Sequence, residues 1–158
     1  MSIPITTGKQ ARPQRVVVYG PEGIGKSTWA AAWPAPVFID TEGSTDRLDV
    51  VRLPKAINWK QLVGYVKGLA ADKHPYITLV VDTADWAEKL CAETLCAESN
   101  KAGIEDFGYG KGYTYLVERF TALLKECETL RDQRGMHVVF TAHAAVRKLE
   151  LPEESGSF

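Results

Sequence analysis

The chain has 158 residues, 45% of them apolar and 25% charged, with a formal net charge of -1. That length suits one domain with its own core, and the composition excludes a disordered tract, a collagen-like repeat and a coiled-coil rod. The near-zero charge excludes a global basic field for nucleic acid, while a local basic patch stays compatible with it.

Cys91, Cys96 and Cys127 contain no C-x-x-C pair, which argues against a disulfide framework or a structural zinc. His74, His137 and His143 are scattered without metal-ligand spacing. No apolar run reaches the ~18 residues of a membrane span, and residues 1–14 hold no apolar signal core. A soluble cytoplasmic protein without a membrane partner is expected.

Residues 1–14 read as a flexible polar lead-in with Lys9 and Arg12 and no acid. Arg15–Tyr19 is a short β-branched run ending at Gly20, which predicts a buried strand. Lys26–Trp33 predicts a short helix stopped by Pro34 and Pro36. Val37–Asp40 is a second apolar strand, and Val50–Leu53 a weaker third. Asn58–Lys73 predicts a helix, with Asn58 and Gln61 at capping-box spacing and Trp59, Leu62, Val63, Val66, Leu69 and Ala70 on one face. Ile77–Asp82 is a continuous apolar strand, expected to be covered on both faces. Residues 83–100 predict a helix with Trp86, Leu90 and Leu95 inward. Residues 101–112 are Gly-rich and break the pattern. Tyr113–Arg134 is the clearest helix, with Tyr113, Leu116, Val117, Phe120, Leu123, Leu124, Cys127 and Leu130 on its stripe and Gly135 as its stop. His137–Ala142 is a fifth strand. Strands alternating with helices predict an α/β domain over residues 15–148, built on a mostly parallel sheet flanked by helices. Residues 149–158 read as an exposed acidic tail.

Gly20, Pro21, Glu22, Gly23, Ile24, Gly25, Lys26 and Ser27 spell G-x-x-x-x-G-K-[ST], and Thr28 follows. Glycines let successive backbone N–H groups curl around phosphate oxygens, and the helix that starts there adds its dipole. Lys26 is placed to reach the terminal phosphates and the Ser27 hydroxyl to hold Mg²⁺. With Gly near 7% of residues, a chance match in such a chain is roughly a one-in-several-hundred event. The strand before it and the helix after it supply the context that a chance match lacks.

Asp82 ends the most apolar strand, so its carboxylate emerges at the sheet's carboxyl edge, where ligands bind in open α/β sheets. It is the candidate second-shell residue for Mg²⁺. Asp85, one turn on, competes for that role or for capping the next helix. Hydrolysis needs a group that orients and polarises water. Glu42, beyond the strand Val37–Asp40, is the candidate, with Asp40 as its alternative. His143, after the fifth strand, is the candidate γ-phosphate sensor, against the alternative of a surface histidine. Trp29 and Trp33 are expected to pack in the core rather than to stack on adenine.

Together these residues resemble the RecA-like ATPase core. V-F-I-D-T-E resembles the strand that ends in the RecA catalytic glutamate and places Glu42 there. T-L-V-V-D-T resembles the Walker B strand and places Asp82 on its acid. V-V-F-T-A-H resembles the sensor strand, with His143 where RecA-type proteins usually carry Gln. More narrowly, G-P-E-G-I-G-K-S-T, F-I-D-T-E-G-S, F-G-Y-G-K-G-Y and T-A-H-A are similar to phage-encoded nucleotide-binding proteins, small ATPases of single-strand annealing and recombination. The resemblance implies that the sensor strand lies between the P-loop strand and the Asp82 strand. It also implies further strands beyond the sensor strand. On that reading the core is C-terminally truncated, or another subunit, in a homo-oligomer for instance, covers strand 15–19, whose edge would otherwise carry unpaired backbone groups.

The resemblance also places two loops at a DNA-binding face. Phe107, Tyr109 and Lys111 in the first, and Arg147 and Lys148 in the second, are candidate contacts to single-stranded DNA, with aromatics for bases and cations for phosphates. A loop clamped to the core is the alternative for Phe107 and Tyr109. The expected function is that of a Mg²⁺-dependent ATPase acting with single-stranded DNA and a single-strand-binding partner. Lys26, Glu42 and His143 are its catalytic groups. A basic finger from a neighbouring subunit is expected, so that the monomer hydrolyses slowly. A small-molecule or nucleotide kinase and a non-catalytic nucleotide-binding module are the rivals.

Overall fold

In the computed structural model, which describes residues 3–145, five parallel strands form one sheet. The strands are β1 (Arg15–Gly20), β2 (Pro36–Asp40), β3 (Val51–Arg52), β4 (Thr78–Asp82) and β5 (His137–His143). The helices are α1 (Lys26–Ala31), α2 (Trp59–Ala71), α3 (Ala84–Glu98) and α4 (Lys111–Arg134), with short 3₁₀ turns at Thr45–Arg47 and Ile104–Phe107. The sheet order is β1-β5-β4-β2-β3. β5 therefore lies between β1 and β4, the expected strand order.

Period-2 alternation divides the apolar side chains between two layers. Phe38, Val80 and Val139 face Ala30 of α1, with Val16, Trp33 and Val50 at their margin. Val37, Ile39, Leu79, Val81, Val138 and Phe140 face the opposite way, onto Leu62 and Val66 of α2, Ala87 and Cys91 of α3, and Leu123, Cys127 and Leu130 of α4. Burying each of the larger side chains contributes about 1.5–3 kcal/mol. All residues of β4 are buried, because it has a strand on each side and helices on both faces. At β1 the protection is one-sided: among the described residues it pairs only with β5, and Val17 and Tyr19 are exposed.

Local signals explain the element ends. Asn58 Oδ1 accepts from the Gln61 amide at 2.9 Å, and Gln61 Oε1 accepts from the Ile57 amide at 2.9 Å, one residue earlier than in a capping box. Gly135 closes α4 at φ 67°. Helix α1 stops at Ala31, short of Trp33, because the residue before a proline disfavours the helical region.

Several expectations fail, and the burial of the strand at Arg15–Tyr19 is one, since Val17 and Tyr19 are exposed. Trp86 is not inward: the buried side of α3 is Ala87, Cys91, Leu95 and Cys96, and Trp86 lies outside under the Lys89 ammonium, 4.5 Å from its ring centre. Tyr113 and Val117 are exposed, because the stripe on α4 is wider than the face that its neighbours cover. Residues 101–112 are not wholly irregular, since Ile104–Phe107 form a turn and α4 begins at Lys111. Gly112 permits this packing: a Cβ there would sit 2.2 Å from the Ile104 carbonyl oxygen. Arg147, Lys148 and the acidic tail 149–158 lie outside the described residues.

Candidate functional site: a phosphate cleft at the carboxyl edge

The site forms where β1, β2, β4 and β5 all end. The loop after β1 turns through Gly23 at φ 77° and Gly25 at φ 95°, left-handed conformations that favour glycine. Gly25 then caps α1, and its carbonyl accepts from the Trp29 amide at 2.9 Å. Gly20 closes on the Ile24 side chain, where a Cβ would lie 3.3 Å from Cγ2. Lys26 is buried. Its Nζ donates to the carbonyls of Gly20 at 3.1 Å and Pro21 at 2.8 Å, so the ammonium is held inside the loop it serves.

Across from this loop stands the segment after β2. Thr41 extends the β2–β4 pairing past the sheet: its amide donates to the Asp82 carbonyl at 2.8 Å, and its Oγ1 both donates to the Thr83 carbonyl and accepts from the Thr83 amide at 2.8 Å. Asp40 then ties down the turn that follows. Its Oδ1 accepts from the amides of Glu42 at 3.1 Å, Gly43 at 2.6 Å and Ser44 at 3.3 Å. Its Oδ2 accepts from the Thr45 amide at 3.0 Å and the Thr45 hydroxyl at 2.5 Å. Burial alone would raise this carboxyl, but the Thr45, Gly43 and Ser44 donors outweigh it and hold Asp40 below the usual carboxylate range. Asp40 is thus spent on structure, and of the two acids at the end of β2 it is Glu42 that borders the cleft, with Glu22 of the P-loop across from it.

The third wall is the end of β5. Asp85, in the first turn of α3, grips His143 twice: Oδ1 accepts from the His143 amide at 3.1 Å, and Oδ2 meets ring Nδ1 at 2.8 Å. Burial works to raise Asp85, and the His143 ring and amide more than offset it, so the carboxyl lies below its ordinary value. With Nδ1 held by the carboxylate, Nε2 faces Glu42, 3.9 Å from Oε2. Glu42, His143 and Asp85 therefore form one chain of contacts from β2 to α3.

These walls enclose a cleft of about 560 Å³, bordered by the P-loop on one side and by Glu42, Ser44, Arg47, Thr83 and His143 on the other. The loop geometry and the sheet order are those of a P-loop nucleotide site. A scan of family models decides the matter: the AAA domain model matches residues 12–157. The chain belongs to the AAA domain family. It is a P-loop NTPase, and the cleft bordered by its P-loop is the candidate nucleotide site. A comparison with curated proteins returns no match.

The AAA domain family implies a nucleotide, usually with Mg²⁺, and the donor set suits that ion. The Ser27 hydroxyl borders the cleft, and the Asp82 carboxylate lies behind it, fully buried, accepting from the Thr141 hydroxyl and, at 3.5 Å, from the Ser44 hydroxyl. Hard oxygen donors of this kind, with water completing the shell, are what Mg²⁺ takes. The Thr83 hydroxyl on the cleft wall is buried and makes no hydrogen bond among the described residues. No group of three or more His, Cys, Asp or Glu gathers as a metal site among them either.

The cleft brings together Lys26, Ser27, Thr28, Glu42 and His143. Phe107, Tyr109 and Lys111 lie apart from it. Phe107 packs edge-on against Tyr115, with ring centres 5.8 Å apart. Tyr109 is fully exposed at φ 49°, between Gly108 at 68° and Gly110 at 70°. Trp33 packs against the α1-side core, while Trp29 is exposed and edge-on to it; neither borders the cleft. Burial pushes the Cys91 thiol up to about 11 and that of Cys127 to about 12, so both stay protonated. No described helix is long and apolar enough to cross a membrane.

Sequence reasoning left two features unassigned. Asp85 appears there only as a rival metal or capping residue, whereas the structure makes it the clamp of His143. Arg47 is absent from it, because a lone Arg on a short turn has no motif; its place depends on how Asp40 folds that turn.

Proposed function

We propose that this chain is a RecA-like, Mg²⁺-dependent ATPase that serves phage DNA recombination or single-strand annealing in the cytoplasm of a bacterial host. The observation that carries the ATPase reading is the convergence of Lys26, Glu42 and the Asp85-held His143 on one cleft. Glu42 takes the position from which a carboxylate orients and polarises the attacking water. Lys26 neutralises developing charge on the phosphates, and His143, held in one orientation, contacts the terminal phosphate. Mg²⁺, when bound at Ser27 with Asp82 behind it, would supply Lewis-acid stabilisation of the phosphates. Catalysis here is positioning and electrostatics rather than covalent chemistry.

Support for a DNA role comes from Tyr109. A non-glycine residue in the left-handed region is costly, and this one displays an exposed aromatic ring on a Gly-flanked turn. Base stacking by Tyr109, with Lys111 beside it, is the reading we favour, and Arg147 and Lys148, outside the described residues, are further candidates. The exposed edge of β1, with Val17 and Tyr19, suits a neighbouring copy, and a single-strand-binding protein is the further partner.

The test is ATP hydrolysis with Mg²⁺ at low salt, with and without single-stranded DNA, using Lys26→Ala as the blank. We expect turnover that the variant abolishes and that DNA stimulates. Turnover without stimulation would sink the DNA role while keeping the ATPase. Tight ATP binding without turnover would leave a nucleotide-binding module, and a phosphorylated acceptor would make the protein a kinase.

A further inference from the structure

We propose that Arg47 supplies, within the same chain, the guanidinium that contacts the terminal phosphate of the bound nucleotide. The inference rests on the ATPase reading above and adds to it a residue and a mode of charge neutralisation. A P-loop NTPase of this type otherwise needs a basic finger from a neighbour.

The turn that carries Arg47 is fixed from both ends. Thr45 is fully buried, and both its amide and its hydroxyl bind Asp40. The Leu48 amide closes the turn on the Thr45 carbonyl at 2.8 Å. The Arg52 guanidinium then donates to the carbonyls of Thr45 at 2.7 Å and Leu48 at 2.8 Å, bracketing Arg47 between its acceptors. So the backbone beneath Arg47 is held by a carboxylate on one side and by a cation on the other. The backbone therefore needs no reordering when a nucleotide arrives, and only the Arg47 side chain has to be ordered on the phosphate.

The side chain set on this base borders the cleft opposite Lys26 and Ser27, beside Glu42 and Ser44. Its charge is uncommitted. Among the described residues, the guanidiniums of Arg15, Arg119 and Arg131 each meet a carboxylate, and those of Arg52 and Arg134 donate to carbonyls, whereas those of Arg47 and of Arg12, on the lead-in away from the cleft, make neither contact. The charged and titratable groups around it are its sequence neighbours Asp46 and Asp49, the Arg52 guanidinium on the carbonyls of its own turn, and, on the cleft wall, Glu22, Glu42, Lys26 and His143. Lys26 is thus the other permanent cation at the cleft, and it already serves two loop carbonyls. A polyphosphate entering between them meets Lys26 on the P-loop side and a planar, forked donor on the far side. That fork matches the oxygens of a terminal phosphate in a way that an ammonium does not.

Two readouts on the full chain test this. The first is binding of a non-hydrolysable ATP analogue and of ADP to wild type, Arg47→Ala and Arg47→Lys. We expect Arg47→Ala to weaken the analogue about tenfold or more and to leave ADP within about threefold, with Arg47→Lys between the two. The second is hydrolysis. We expect a kcat loss on the order of 10²–10³-fold in Arg47→Ala, and wild-type turnover per protomer that does not rise with protein concentration. Equal loss of ADP and analogue would move Arg47 to the nucleoside or diphosphate and overturn the proposal. So would unchanged binding and kcat in Arg47→Ala, with turnover that climbs with protein concentration, which points to a neighbour's finger. Absence of turnover in wild type would refute the ATPase reading alone, and the analogue-to-ADP preference would still decide Arg47. Arg47 is exposed and has no ion pair among the described residues, so unfolding of the variants is not expected, and Arg47→Lys guards against it.

Discussion

Two of the concavities formed by the described residues are of similar size and opposite character. One is the phosphate cleft, about 560 Å³. The other, about 500 Å³, lies between α2, α3 and α4, with Trp59, Val63 and Leu123 in its wall. The helical groove also carries charges, and four of them pair: Arg119 meets Glu98 at 2.5 Å and Lys67 meets Glu126 at 3.4 Å, while Lys60 at its rim has no ion pair among the described residues. In the cleft only His143 is tied to carboxylates, Asp85 closely and Glu42 at the limit of an ion pair. Lys26 holds only backbone carbonyls, Arg47 has no ion pair among the described residues, and Glu42 stops 3.9 Å from His143. Volume does not tell the two apart. Unspent charge on a rigid base does, because fixed dipoles and ions with nothing internal to bind are what a charged ligand needs. The groove is a gap between helices whose ends are stitched by surface pairs worth little each.

Glu42→Gln gives the largest effect on the cleft side of that contrast. The amide keeps the size of the side chain and loses the charge that polarises water. We expect kcat to fall on the order of 10²-fold or more, with nucleotide affinity close to wild type, as read by steady-state turnover beside nucleotide titration. Unchanged turnover would remove Glu42 from the chemistry and return the question to the other groups at the cleft.

Asp40→Asn acts one step back, on the base of the cleft. The amide cannot accept all five donors that the carboxylate now holds, and the site is buried. We expect a loss of about 2–3 kcal/mol in urea unfolding at neutral pH. The sign of the pH dependence follows from the direction of the shift. The folded carboxyl is held below its ordinary value, so its stabilising contribution is complete above the unfolded pKa near 3.9 and disappears as pH falls through the lower folded value. The gap between wild type and variant should therefore be widest at neutral pH and shrink in acid below about pH 4. A gap of constant size would mean that the turn is held by its backbone and not by the charge.

The strands and helices were legible because their signals are local and redundant. β4 is apolar throughout, α4 has a long periodic stripe, and Gly23 and Gly25 announce a loop that needs positive φ. What was lost depends on neighbours. Whether Val117 is covered is decided by which elements flank α4, and whether Trp86 turns inward is decided by the smaller Ala87 and Cys91 filling the face of α3. The same holds at the site. Lys26, Ser27 and Glu42 sit in or beside recognisable motifs, so their roles could be proposed from spacing. Asp85 and His143 are 58 residues apart in sequence, and no motif joins them. Asp40 was weighed as a rival to Glu42 because both are acids at the same strand end; five donors from the following turn separate them.

Gly64→Ala tests the groove side of the contrast, where the smallest effect is expected. Gly64 lies within α2 and borders the groove, and a Cβ built on it meets nothing within 4 Å. An alanine there restricts the unfolded chain and favours helix, a gain of roughly 0.5–1 kcal/mol. The methyl projects into space that, if the groove is only a gap, nothing occupies. Thermal unfolding should rise by about 2 °C, and hydrolysis and nucleotide affinity should not change. A gain in stability with intact turnover is what an unused concavity predicts. A loss of turnover from a methyl in that groove would mean that its helices move during the cycle, and would break the division between the one concavity that works and the one that does not.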